Sequence, residues 1–463
     1  MAFGRSARVE MEEKKRGGFS SKIGFVMAAA SSAVGLGNLW RFPYLAADYG
    51  GGVFLLSYML LAASFGFAML VAEIGIGRMT RLSAVAAFRK LDRRFHFCGI
   101  LGLLIPALIT PYYSVIGGWV TKYIAVYATG ADSAAAQNAF FGAYVSKTGE
   151  PIFWFLVFII LSGVVVLLGV DKGIERLSTI LMPILLLLAA GIAVYTVTRP
   201  GAGAGIAYYL TPDFSKMNGK TILAALGQLF YSLSLAMGIM VTYGSYMRRE
   251  DRIETSAFQI TFFDSLVAFL AGLMIVPAVY IFSGGDESAM KAGPGLMFVT
   301  LPKVFHSFAG GRIVGLAFFA LAFFAAITSS VSLVETVVSN VMDLLHWKRK
   351  PATVFMILWC IVLGIPSSLG FGIWDSVRIL GFDILDFMDF LTNTLMMPIL
   401  AFFTCVLVGF VLKPEKIIAE AQACGARFRT KRFFAFIIKW IAPVGIIAIM
   451  ASFLAASFGW MNW

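Results

Sequence analysis

Eleven apolar stretches, each long enough to cross a bilayer as a helix, run almost end to end through this chain. They lie near residues 23–46, 53–77, 98–128, 152–170, 177–198, 221–246, 257–283, 313–342, 353–370, 384–411 and 433–458. A spanning helix needs ~20 such residues, and a water-soluble domain built from this sequence would lack the polar surface to cover itself. Hydrophobic residues are 59% of the 463, charged residues 13%, and the mean hydropathy is +0.85. Lipid is therefore the solvent for most of the chain, and the expected fold is an all-α integral membrane protein with about 11 transmembrane helices. Several stretches exceed one bilayer thickness, which predicts tilted or broken helices.

A net charge of +12 raises the possibility of a nucleic-acid partner, but the distribution of charge argues against one. Lysines and arginines cluster before Lys22, between Arg78 and Arg94, at Lys172 and Arg176, between Arg248 and Arg252, at Lys348–Lys350 and between Lys413 and Lys439. These are alternate loops, so the positive-inside rule places the N-terminus in the cytoplasm. An odd number of spans then puts the C-terminus outside. The first apolar run has no small-residue cleavage site and continues into Trp40 and Arg41, so it stays in the mature protein. Cys98, Cys360, Cys405 and Cys424 are scattered without C-x-x-C spacing, which disfavours a metal or redox centre. No N-x-[ST] acceptor occurs, in keeping with a bacterial inner membrane.

Two spans carry helix breakers at their centres, where a bilayer normally demands an unbroken hydrogen-bond ladder. One is Ser31-Ser32-Ala33-Val34-Gly35-Leu36-Gly37-Asn38; the other is Ser232-Leu233-Ser234-Leu235-Ala236-Met237-Gly238. Five spans separate them, and an odd repeat length reverses orientation, so spans one to five and six to ten read as inverted repeats. The organisation expected is a cytoplasmic segment 1–22, a first repeat 23–198, a second repeat 221–411, and a cytoplasmic loop with an eleventh span over 412–463. Unwound backbone at membrane depth survives only where it is buried or lines a cavity, so the paired breaks are the candidate binding site.

Seven ordered motifs bear on what that site does. They are Ala33-Val34-Gly35-Leu36-Gly37-Asn38-Leu39-Trp40-Arg41-Phe42-Pro43; Glu73 with Gly77-Arg78; Tyr112-Tyr113 followed by Trp119; Asp171-Lys172-Gly173-Ile174-Glu175-Arg176; Gly227-Gln228-Leu229-Phe230-Tyr231-Ser232-Leu233-Ser234-Leu235; Ala292-Gly293-Pro294-Gly295; and Thr328-Ser329-Ser330. In these, and over nearly the whole chain from Arg16 on, the sequence resembles the neurotransmitter:sodium symporter family and its bacterial amino-acid transporters. A broken helix offers free amides on one side and free carbonyls on the other, an anion site and a cation site close together. A zwitterion has both charges. The amides of Gly35, Leu36 and Gly37, with the Tyr113 hydroxyl, would hold a carboxylate. Carbonyls of Ala33, Tyr231, Ser232 and Ser234 would take the ammonium, as the resemblance implies. Where amine-transporting relatives have an aspartate this chain has Gly35, which favours a substrate that brings its own carboxylate. The side chain is expected among Leu36, Ile109, Tyr113, Tyr231, Ser234, Met237, Ser329 and Leu333, an uncharged wall suited to hydrophobic amino acids.

The resemblance further implies two Na+ sites, sodium being a hard cation that prefers oxygen ligands. The first would use Ala33, Asn38, Ser232 and Asp264 with the substrate carboxylate; the second, carbonyls of Ser31, Val34 and Ala325 with hydroxyls of Thr328 and Ser329. Arg41 and Asp389, bridged by Gln228, would form an outer gate, and Arg16 with Asp343, near Phe19, Ser245 and Tyr246, an inner one. Glu73 would prop both breaks, and Gly173 to Pro183 would be a stretch of span five that unwinds. Many animal relatives need chloride beside the first sodium; here Asp264 replaces the usual Asn and Ala268 stands where bacterial relatives often have glutamate, so Asp264 is expected to supply the negative charge and no chloride is expected. A twelfth span is missing, so the family's dimer contact carries no expectation for this chain. An ion channel is the main rival, but nothing repeats as rings around a pore axis; a symporter of another small zwitterion is a second. An enzyme is not expected, since His96, His306 and His346 fall in or near loops with no nucleophile beside them.

Overall fold

The computed structural model describes residues 17–284 and 295–457. These are helices with short connections, and among them the only β pairing is two isolated bridges, Gly51 to Pro212 and Ile379 to Phe382. Helices α1 (Lys22–Ala33) and α2 (Gly37–Asp48) meet at 52° and form the first span. They are followed by α3 (Gly52–Thr80), α4 (Arg93–Thr129), α5 (Gly149–Leu167) and α6 (Val170–Val197). The stretch expected as span six is two helices, α7 (Gly219–Ser232) and α8 (Ile239–Tyr246), separated by residues 233–238. The chain continues through α9 (Ile253–Ser283), α10 (Gly311–Leu345), α11 (Arg349–Leu369), α12 (Ile384–Val411) and α13 (Lys431–Ala455). Among the described residues nine helices are continuous and apolar enough to cross a bilayer, and the bent α1–α2 pair makes a tenth. The remaining expected span exists as the two short pieces α7 and α8.

Local chemistry sets these ends. The Ser21 hydroxyl accepts from the Gly24 amide at the start of α1, and the Asn218 side chain accepts from Thr221 at the start of α7, each satisfying an amide that the helix cannot. Gly130 (φ +82) and Gly284 (φ +66) end α4 and α9 in the left-handed region that a Cβ disfavours. Prolines inside α4, α6 and α9 are tolerated where neighbouring helices cover the freed carbonyls.

The broken helices sit at the centre. Every residue of α8 is buried, as is most of α1; α8 packs along α3, and α4 along α10. The outer surface is apolar: Leu187 on α6 is 74% exposed and Val444 on α13 68%, in the manner of helices solvated by lipid. Of the apolar window of each span, 72% is buried in α4 but 33% in α6 and in α13. The fold is thus a buried inner group of helices held within a loosely covered outer ring.

Candidate functional site

Helix α1 ends because Val34 turns extended (ψ 97). The Gly35 amide then donates to Asn38 Oδ1 at 3.1 Å and the Leu36 amide to the Tyr113 hydroxyl at 3.5 Å. Gly37 is glycine of necessity, since a Cβ there would lie 2.4 Å from the Tyr231 ring. In the second break Ser234 (φ +52) and Ala236 (φ +55) adopt left-handed backbone, which costs a non-glycine residue ~1–3 kcal/mol. Hydrogen bonds of similar worth oppose that strain: Glu73 Oε1 accepts from the Ala236 amide at 2.8 Å, and the Ser234 hydroxyl donates to the Ser32 carbonyl at 3.0 Å. Glu73 is thus hydrogen-bonded to the second break. Its other oxygen, Oε2, is buried and has no partner among the described residues, so the expected double prop is seen on one side only.

Between the breaks lies a small cavity lined by Ser32, Ala33, Gly35, Leu36, Gly37, Asn38, Ile109, Tyr113, Tyr231, Ser234, Met237, Ile239, Ser329 and Leu333. All the side-chain wall residues expected from sequence line it. Ser232 does not; it belongs to the polar cluster beside the cavity. There the Ser232 hydroxyl donates to Asp264 Oδ1 at 2.7 Å, Asn38 Nδ2 donates to Asp264 Oδ1 at 2.8 Å and to Ser232 at 2.9 Å, and the Tyr58 hydroxyl donates to Asp264 Oδ2 at 2.6 Å. Asp264, Asn38 and Tyr58 are completely buried. Beside the first break, Thr328 Oγ1 lies 2.8 Å from the Phe324 carbonyl of its own helix, 2.9 Å from the Ser31 carbonyl and 3.2 Å from the Ala325 carbonyl, and the Ser329 hydroxyl lies 3.4 Å from the Val34 carbonyl. The oxygens named for a second cation thus fall into two contacting groups, Thr328 with the Ser31 and Ala325 carbonyls and Ser329 with the Val34 carbonyl, and all are neutral, the kind of donor a hard monovalent ion takes.

The gates differ from expectation in detail. Arg41 lies over the Tyr231 ring, 5.3 Å from its centroid, and forms no ion pair with Asp389. Asp389 instead accepts from the Tyr112 hydroxyl at 3.1 Å and from Asn393 Nδ2. Gln228 does not bridge them; its Nε2 donates to the Gly37 carbonyl at 3.1 Å and so braces the first break. On the inner side Arg16 lies outside the described residues. Asp343 accepts from the Ser83 amide at 2.9 Å, and Phe19 packs edge-on against Tyr243 and Tyr246. The Tyr246 hydroxyl donates to Glu335 at 2.8 Å, and Arg349 Nη2 to the same carboxylate at 2.9 Å. Glu335 was open to detection from sequence: it is a carboxylate within an apolar span, the same signal that marks Glu73 and Asp389. Tyr58, an aromatic in an apolar helix, carries no such mark.

Residues 16–134 and 135–460 match the sodium:neurotransmitter symporter family, and the chain belongs to that family. It is accordingly a sodium-dependent multi-pass membrane transporter and not an enzyme. It is 35% identical over 451 residues to an uncharacterized sodium-dependent transporter of Bacillus subtilis, YhdH, covering 96% of this chain and 99% of that protein. An uncharacterized sodium-dependent transporter of Haemophilus influenzae is 34% identical, with 95% and 98% covered. The crystal structure of MhsT in complex with L-phenylalanine superposes with a TM-score of 0.85 at 37% identity, covering 94% of this chain and 99% of that one.

Proposed function

We propose that this chain couples sodium entry to the uptake of a neutral, hydrophobic amino acid by alternating access of two inverted repeats, without chloride. The carrying observation is the cavity at the paired breaks, which brings the backbone of both breaks and an uncharged side-chain wall around one space. The amides of Gly35, Leu36 and Gly37 with the Tyr113 hydroxyl hold the carboxylate, and carbonyls of Ala33, Tyr231, Ser232 and Ser234 the ammonium. Leu36, Ile109, Met237 and Leu333 contact the side chain. A charged side chain buried there would find no counter-charge, so Asp, Glu, Lys and Arg are rejected. The structural relative MhsT, seen with L-phenylalanine, supports this reading.

Two sodium ions are co-transported. The first is held by Ala33, Asn38, Ser232 and Asp264 together with the substrate carboxylate, so ion and substrate stabilise each other. The Asn38 amide turns its nitrogen to Asp264, and it must rotate to offer oxygen to an ion. The second ion takes Ser31, Val34, Ala325, Thr328 and Ser329. Asp264 contributes a fixed negative charge where chloride would otherwise be needed. Approach of Arg41 to Asp389 closes the outer side, and the Asp343 and Tyr246 region the inner side.

Uptake of labelled L-leucine into proteoliposomes tests the proposal. It should require an inward sodium gradient, be competed by L-phenylalanine but not L-aspartate, and persist when gluconate replaces chloride. Competition by aspartate, or loss of uptake without chloride, would count against the substrate class or the chloride reading respectively.

A further inference from the structure

Ser178 lies on α6 between the π turn Val170–Glu175 that opens this helix and Pro183. Both flanks are weak points, because a π turn departs from the α-helical ladder and proline supplies no amide hydrogen. Hydroxyls in apolar helices commonly bond back to a carbonyl one turn earlier, as Thr179 does to Glu175 and Ser162 to Phe158. The buried Ser178 instead reaches across to α1, where its hydroxyl meets that of Ser31 at 2.9 Å. Ser31 is the residue whose carbonyl receives Thr328 in the second-ion cluster, and its hydroxyl is also 3.1 Å from the Ala28 carbonyl. Three residues before Ser178, the Glu175 carboxylate accepts from the Ser20 amide at 2.7 Å and from the Ser20 and Ser21 hydroxyls at 2.7 and 2.9 Å. It also fills the space a Cβ on Gly24 would take, 1.8 Å away. The inner half of the first span is thus fastened to α6 at two points, Glu175 at the end of the π turn and Ser178 between that turn and the proline.

We infer that Ser178 is a positioning residue for the second sodium, an inference that rests on the transport reading above. Through the Ser31 hydroxyl it fixes the backbone from which the Ser31 carbonyl projects. Ser178 itself touches neither ion nor substrate. Its hydroxyl therefore sets sodium affinity without setting amino-acid recognition once sodium is saturating.

The test uses the full chain in proteoliposomes, with labelled L-leucine and varied sodium. Ser178→Ala and Ser178→Cys should each raise the sodium concentration for half-maximal uptake roughly five- to ten-fold, the worth of one buried hydrogen bond. Half-saturation by leucine at saturating sodium should stay within about two-fold, and Ser178→Thr should restore the sodium response. Thr179→Ala, whose hydroxyl bonds to its own helix, should behave as the unmodified protein. Thermal melting separates positioning from simple structure: the Ala and Cys variants should melt normally without sodium and gain less from its addition. An unchanged sodium response, or an equal loss of stability with and without sodium, overturns the inference. Uptake by the unmodified protein that needs no sodium overturns the transport reading itself, and this inference with it.

Discussion

Asp264 is the side chain on which the proposed first ion site depends most. Three donors, from Tyr58, Asn38 and Ser232, converge on its two oxygens and hold the carboxyl group in one orientation. Removing the charge while keeping the shape should be costly: Asp264→Asn is expected to lower sodium-driven uptake at least about ten-fold, since each kcal/mol or so lost at the ion multiplies through affinity. Adding Ala268→Ser should recover part of the loss only when chloride is present; recovery that ignores chloride would show that charge is not what Asp264 supplies. Asp264 was legible in the sequence through the family resemblance, as the position where relatives commonly have asparagine. Tyr58 was not, because its role depends on which helix it faces. The same limit hid Ser178 and misassigned Gln228, whose amide could reach either gate residue or the Gly37 carbonyl by spacing alone.

Both broken helices could be read from sequence, since glycines and hydroxyls clustered at the centre of an apolar span weaken the helix just where lipid leaves its backbone no substitute partner. What sequence could not show is how each break is held. The second uses left-handed Ser234 and Ala236, non-glycine residues for which no pattern predicts such backbone. The inner ends of α8 and α10 are joined by Tyr246 and Glu335, with Arg349 of α11 completing the cluster. Glu335 is fully buried and Arg349 nearly so (0% and 18% exposed side chains), so breaking the pair leaves a charge poorly solvated. Glu335→Gln is expected to destabilise the protein by up to ~3 kcal/mol, and Glu335→Gln with Arg349→Gln together by less. Melting in detergent reads both; a double variant whose loss equals the sum of the two single losses would mean that the pair is not an interacting unit.

On the scale of the whole molecule, Arg41 and Asp389 lie on α2 and α12 with no ion pair between them, Arg41 resting on the Tyr231 ring. In the proposed cycle, closing the outer side would bring the two together. Arg41→Ala should leave expression and melting close to normal while cutting uptake at least about ten-fold; wholesale unfolding, or full uptake, would each remove the gate assignment.

The sparse cover of α6 has a mechanical meaning. A helix that buries only a third of its apolar window against protein loses little packing when it shifts, and acyl chains refill whatever surface it exposes with no hydrophobic penalty. Motion of α6 in the proposed cycle would be resisted by its packing against α9, α10 and α1, by its polar fastenings and by the elasticity of the surrounding bilayer, whose thickness adds a fraction of a kcal/mol per ångström of mismatch. The membrane would in this sense be a spring in parallel with Glu175 and Ser178, its stiffness entering the speed of the transport cycle alongside the protein's own bonds.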